Sequence, residues 1–289
     1  MKKSNVKALF MLISSMFLYG TIGIFRRYIP LSSGILAFAR GLIGVGFLLI
    51  LMRIRGQKIQ FISEKNKILP LAISGGLMGF NWILLFEAYN YTTVATATLC
   101  YYMEPVIVVL VAPIFFKEKL SFRKRICVIA ALLGMVFVSG VIEGGIPQIS
   151  ELSGILCGLA AAVLYSAVVI LNKKITGVGV YEKTIIQLGS ASIFMLPYLL
   201  ITEDITSLSM DVVSIVMLLV VGIVHTGIAY TLYFGSMGGL KAQTIALFSY
   251  IDPVVAIILS ALILKETMSI FGILGAVLIL GSTIINELS

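Results

Sequence analysis

The stretch Leu99-Cys100-Tyr101-Tyr102-Met103-Glu104-Pro105-Val106 returns 148 residues later as Leu247-Phe248-Ser249-Tyr250-Ile251-Asp252-Pro253-Val254. At the same offset Lys117-Glu118-Lys119-Leu120-Ser121 meets Lys265-Glu266-Thr267-Met268-Ser269, Phe86 meets Phe234, and Trp82 meets Tyr230. Upstream, Leu18-Tyr19-Gly20 resembles Leu164-Tyr165-Ser166 at an offset of 146. Apolar helices often look alike by chance. An acid before proline, followed by Lys-Glu at a fixed separation, does not recur that way, so the chain reads as an internal duplication.

Each copy lies in strongly apolar sequence. Of 289 residues, 60% are hydrophobic and 12% charged, against about 45–50% and about 25% in soluble domains, and the mean hydropathy is +1.10. So few charged groups cannot cover a water-facing surface of this size. A membrane helix needs about 20 apolar residues. Ten runs qualify: 7–25, 34–52, 69–89, 93–116, 124–142, 151–172, 181–201, 212–235, 241–264 and 270–287. They must be helices, because each backbone N–H and C=O has to find its partner inside lipid. The expected fold is therefore an all-α membrane protein of ten transmembrane helices, with halves at 1–147 and 148–289. Five helices per half is an odd number, so the second copy enters the membrane from the opposite side. Two inverted five-helix repeats are a recurrent transporter architecture.

Charge sets the orientation. Lys2, Lys3, Lys7, Arg53, Arg55, Lys58, Lys65, Lys67, Lys117, Lys119, Arg123, Lys124, Arg125, Lys173, Lys174, Lys183 and Lys241 fall on one side. The other side holds Arg26, Arg27 and Lys265, and Arg40 lies within a helix. Seventeen against three places both termini in the cytoplasm. The same distribution explains the net charge of +8 without nucleic acid, whose binding sites gather basic residues into surface stripes. Met1-Lys2-Lys3 before an apolar run looks like a signal peptide. No A-x-A site follows, however, and Arg26-Arg27 closes the run, so an uncleaved first helix is expected. Cys100, Cys127 and Cys157 each sit in an apolar run without pattern and read as buried, reduced thiols.

Taken together, these residues resemble the drug/metabolite transporter superfamily and its EamA-type members across essentially the whole chain. The residues that carry the resemblance are Tyr19-Gly20, Arg40, Ala88-Tyr89-Asn90-Tyr91-Thr92, Glu104-Pro105-Val106 and Lys117-Glu118-Lys119-Leu120. The second half is weaker, with Ser166 for the glycine, Gln187 near the place of the arginine and Asp252 for the glutamate. The resemblance implies a ten-helix exporter or importer of amino acids, related metabolites or drugs. It does not fix the substrate.

Ionisable groups inside a membrane helix cost about 2.5–3.5 kcal/mol each and so need a reason. Glu104 and Asp252 stand about 11 residues into the fourth and ninth runs, near the midplane. Each precedes a proline that frees backbone carbonyls beside the carboxylate. They are expected to bind substrate or protons, or else to cap the proline break. His225, the sole histidine, lies mid-helix in the eighth run. It suits proton coupling or a neutral bond between helices. Arg40 is a candidate for a substrate carboxylate or an internal pair with Glu104. Glu87 lies near the outer end of the third run and can simply face water.

Tyr19, Trp82, Tyr101, Tyr102, Tyr165, Tyr230 and Tyr250 concentrate at similar depth and could line a cavity for an apolar or cationic solute. Gly75-x-x-x-Gly79 and Gly154-x-x-x-Gly158 read as close helix contacts. Lys117-Glu118 and Lys265-Glu266 either clamp helix ends or are solvated.

Nothing in the sequence favours an enzyme. It has no phosphate loop, no H-E-x-x-H and no Cys/His set for a metal. The expected partners are membrane lipid and a small-molecule substrate, with no nucleic acid and no cofactor, and the chain is expected to work as a monomer or homodimer. A secondary transporter of the cytoplasmic membrane, possessing residues for proton coupling, is the first reading. A small-solute channel and an intramembrane lipid-modifying enzyme stay open as alternatives.

Overall fold

A computed structural model describes residues 3–56, 65–116, 122–138, 142, 148–175, 177–203, 210–237, 248–249 and 251–287. The described residues are helical throughout their regular structure, with no strands. The helices are α1 (Lys3–Arg27), α2 (Ser33–Ile54), α3 (Lys65–Tyr91), α4 (Val94–Tyr101), α5 (Glu104–Phe116) and α6 (Phe122–Val138). They continue with α7 (Ile149–Lys174), α8 (Val180–Thr202), α9 (Val212–Val220), α10 (Ala229–Met237), α11 (Ile251–Leu259) and α12 (Ile270–Glu287). Two π-helical stretches interrupt this order. Val221–Ile228 joins α9 to α10, and Ser260–Leu264 extends α11.

Helix starts follow local chemistry. Ser32, Thr93 and Asp211 cap α2, α4 and α9, their side chains accepting from the backbone N–H of Ile35, Thr96 and Ser214. Among the described residues six helices are long and apolar enough to cross a membrane: Val6–Arg27, Ser33–Ile54, Asn66–Tyr91, Ile149–Asn172, Val180–Thr202 and Val212–Tyr233. Shorter apolar helices occupy Val94–Val108, Arg125–Val138, Ile251–Leu264 and Ile270–Ser282. These four fall in the fourth, fifth, ninth and tenth apolar runs. The outward faces are apolar, with Phe10, Ile114 and Ile193 among the exposed side chains. That surface suits lipid rather than water.

The packing is reciprocal. α3 lies against α7 and α8, while α1 and α2 lie against the segment running from α9 through α10. α4 and α5 pack on α7, and α11 packs on α1. α6 pairs with α12 through two glycines. A Cβ on Gly134 would lie 2.8 Å from the Gly275 carbonyl oxygen, and one on Gly275 would lie 2.6 Å from that of Gly134.

The glycine pairs read from the sequence are indeed contact points. Gly79 approaches Ala191 and Met195 of α8, and Gly75 sits on the Gln187 backbone. Gly154 and Gly158 approach Thr92 and Cys100. Such small-residue seams let backbones close up where no hydrophobic drive separates helix from lipid. Polar side chains add to them inside the bundle. Gln187 donates from Nε2 to Ser74 and Asn172, 2.9 Å each, and Asn81 donates to the Ala161 carbonyl at 2.6 Å. Cys100 and Cys127 are buried free thiols, whereas Cys157 is half-buried.

Candidate substrate-binding site

The fourth apolar run is broken at the acid. α4 ends at Tyr101, the Met103 N–H donates back to the Cys100 carbonyl at 3.1 Å, and α5 begins at Glu104. Pro105 has no N–H with which to continue the ladder. Asp252 stands likewise in the first turn of α11, beside the buried Pro253. Glu104 therefore opens α5 after the break, and Asp252 lies in the first turn of α11. α7 touches the segment that carries Glu104, and α1 touches the one that carries Asp252. The Ser166 hydroxyl of α7 lies 3.2 Å from the Glu104 carbonyl, and a Cβ on Gly20 of α1 would lie 2.6 Å from the Asp252 carbonyl oxygen.

Aromatic rings fill the space between these breaks. Tyr19 meets Tyr230 and Tyr233 edge-on, at centroid distances of 5.5 and 6.2 Å. Tyr230 lies 6.2 Å from Trp82, so the two aromatics paired by the repeat touch each other. Tyr101 meets Tyr165 at 5.6 Å and Tyr102 at 5.9 Å. Tyr102 donates to the Ser249 carbonyl at 3.2 Å. Among the described residues the buried Tyr19 hydroxyl has no hydrogen-bond partner. A buried polar group left unmade costs about 1–3 kcal/mol, so a solute that bonds it gains that back.

Arg40 is 4% exposed. Its guanidinium carbon lies 4.4 Å from the Trp82 ring centre and 5.4 Å from that of Phe86. Its Nε donates to Thr226 Oγ1 at 2.9 Å, and Thr226 passes its own proton to the Val221 carbonyl at 3.0 Å. The sequence offered Glu104 as an internal partner; the partners found are Thr226 and two ring faces. Among the described residues no acceptor engages the two Nη groups. In the π-helical stretch the five-residue repeat brings the Thr226 hydroxyl over the Val221 carbonyl. Gly44 and Gly222 let α2 approach it, against Thr226 and Ile43 respectively.

His225 lies in the same π-helical stretch and is 1% exposed. Its Nε2 is 2.8 Å from Thr21 Oγ1, its Nδ1 is 3.4 Å from the Val220 carbonyl, and its ring packs 4.8 Å from Phe25. Thr21 gives its proton to the Leu18 carbonyl at 2.7 Å. In either tautomer the short Nε2–Thr21 contact makes His225 a bridge between α1 and the π-helical stretch.

Glu87 does more than face water. It accepts from Ser33 at 2.6 Å and from Asn90 at 3.2 Å, while Arg26 donates to Asn90 at 3.3 Å and to the Ile29 carbonyl at 2.7 Å. Glu266 clamps helix ends through Arg27 at 2.8 Å. Tyr250 and Lys117-Glu118-Lys119-Leu120 lie outside the described residues. Sequence reasoning missed Thr226, Thr21 and Tyr233. Tyr233 carried one signal, since it follows Tyr230 by three residues and shares its helix face.

Comparison with known proteins now decides the family. The sequence pattern of the EamA-like transporter family matches twice, at residues 6–140 and 152–287. The chain belongs to the EamA-like transporter family. It is 30% identical over 279 residues to the uncharacterized transporter YxxF of Bacillus subtilis, covering 96% of this chain and 88% of that protein. It is 28% identical over 205 residues to the protein RarD of Salmonella typhi, covering 70% and 66%. A solved crystal structure shares the fold, with a TM-score of 0.69, 22% identity and 97% of both chains covered. This EamA-like chain is thus a multi-pass membrane protein of a bacterial transporter family, which implies a cell membrane, and it is a transporter rather than an enzyme. Among its described residues no group of His, Cys, Asp and Glu could hold a metal.

Proposed function

We propose that the chain is an alternating-access carrier that moves an amino acid or a closely related zwitterion across the cytoplasmic membrane. Its ten helices form two inverted halves, 1–147 and 148–289, with both termini cytoplasmic. Solute binds between the halves at Glu104, Asp252, Arg40, Tyr19, Trp82, Tyr101, Tyr102 and Tyr230, and the two acids couple its movement to protons.

One observation carries this reading. A buried guanidinium, whose Nη donors meet no acceptor among the described residues, stacks on Trp82 and leads through Tyr230 and Tyr19 to the contact of Gly20 with the Asp252 carbonyl. Arg offers a planar fork to a carboxylate. The acids and rings suit an ammonium group on an apolar body. An organic cation would satisfy only the second set. The inverted arrangement is supported by the double family match, by the reciprocal Gly134–Gly275 contact and by the exchange of neighbours between α1–α3 and α7–α10. The Arg40–Thr226 and Gln187–Ser74 bonds join corresponding helices of the two halves in opposite order.

A thermal-shift screen of the purified protein tests the cargo. A solute at 100 times its Kd stabilises the native state by about 2.7 kcal/mol. Amino acids are expected to raise Tm in the wild type and not in Arg40→Gln. Stabilisation by amines that lack a carboxylate, with none from carboxylate-bearing solutes, would overturn the assignment.

A further inference from the structure

Glu266 gathers three helix ends onto one carboxylate. Its Oε1 accepts from Arg27 Nη2 at 2.8 Å, at the last residue of α1. Its Oε2 accepts from the Val94 backbone N–H at 2.9 Å, the first residue of α4. The same oxygen accepts from the Ser260 hydroxyl, where the π-helical extension of α11 begins. Lys265 holds a left-handed backbone, φ 54°, that turns the chain so Glu266 can face inward. The Glu266 N–H donates to the Ser260 carbonyl at 3.2 Å.

These three ends belong to the elements that bound the candidate site. α4 leads to the break at Glu104, α11 carries Asp252, and α1 presents Gly20 to the Asp252 carbonyl. We propose that Glu266 is the latch of the outer gate: its carboxylate holds α1, α4 and the end of α11 together while the outer side is closed, and lets go when that side opens. The inference rests on the alternating-access reading. Its energetics suit a reversible contact. The Glu266 side chain is 14% exposed and that of Arg27 39%, so both charges reach water with little movement, and a partly exposed pair contributes little net stability. The bonds to Val94 and Ser260 add direction, because a backbone N–H at a helix start and a hydroxyl together fix where the carboxylate oxygen points.

The test uses full-length protein with Cys100, Cys127 and Cys157 replaced by Ala. Spin labels are placed on cysteines at Tyr28 and Ile270 for the outer ends, and at Phe122 and Lys174 for the inner ends. Electron-spin distance measurements then compare wild type with Glu266→Ala. The latch predicts that Glu266→Ala adds a longer outer population. Arg27→Gln, which keeps the Val94 and Ser260 bonds, is expected to add a smaller one. An outer distribution unchanged in both variants, each monodisperse and near the wild-type Tm, would overturn the latch. If Glu266→Ala fails to fold, Arg27→Gln alone decides between these outcomes. Inner distances separate the latch from the reading beneath it. Outer widening with inner narrowing supports both, whereas outer widening with fixed inner distances supports the latch and contradicts alternating access.

Discussion

The Ser166 hydroxyl donates to the Ala162 carbonyl of its own helix at 2.7 Å and lies 3.2 Å from the backbone carbonyl of Glu104, which seats α7 on the broken fourth helix. Gly20 stands at the matching place on α1, with the Asp252 carbonyl where its Cβ would be. Each half thus seats a small residue of its first helix on the carbonyl of an acid beside a proline.

That fit predicts the cost of a methyl group. Gly20→Ala places a Cβ 2.6 Å from the Asp252 oxygen and 2.7 Å from Val255 Cβ, and overpacking of this kind costs about 1–3 kcal/mol. Gly46→Ala meets nothing within 4 Å and should leave Tm unchanged. Thermal unfolding of the two variants in detergent checks the contrast.

Arg40 should not tolerate lysine. Lys keeps the charge but loses the planar stack on Trp82 and the Nε bond to Thr226. A desolvated cation–π contact is worth about 2 kcal/mol, so Arg40→Lys should lower Tm measurably and abolish solute-induced stabilisation. The same screen reads both effects.

His225 is expected to act as a bridge between helices. His225→Gln can still reach Thr21, so transport and its pH profile should match the wild type. His225→Ala loses the bond and should destabilise by about 0.6–1.7 kcal/mol, the range for hydrogen bonds between membrane helices. A pH profile flattened by His225→Gln would return the proton role to this residue.

In the proposed mechanism the acids carry the proton role. Flux in the wild type should vary between about pH 5.5 and 8 as a titrating group changes state. Glu104→Gln, which cannot exchange a proton, should flatten that profile. Flat and equal rates in both proteins would remove proton coupling from the account.

The sequence was informative where chemistry interrupts monotony. The Glu104-Pro105 break, the Trp82–Tyr230 contact and the glycine seams were legible because each is an exception within an apolar run, or is doubled by the repeat. The partner of Arg40 was not legible. Thr226 lies 186 residues away, and nothing in Val221–Ile228 distinguishes a π-helical turn from an α-helical one. Tyr233 was legible only through its spacing of three residues from Tyr230, because it has no counterpart in the aromatic pairs of the repeat. The Glu266 contacts were foreseen only as a choice between clamp and solvated end, since an acid after a helix fits both until its neighbours are known.

The central claim is that solute crosses by exchange between two facings of one site. Counterflow in proteoliposomes tests it most directly, using a solute identified by the thermal-shift screen. Vesicles loaded with unlabelled solute should take up labelled solute faster than empty ones and overshoot transiently, and Arg40→Gln should lose this behaviour. Uptake that never saturates and is indifferent to solute inside would contradict a carrier and point to a channel.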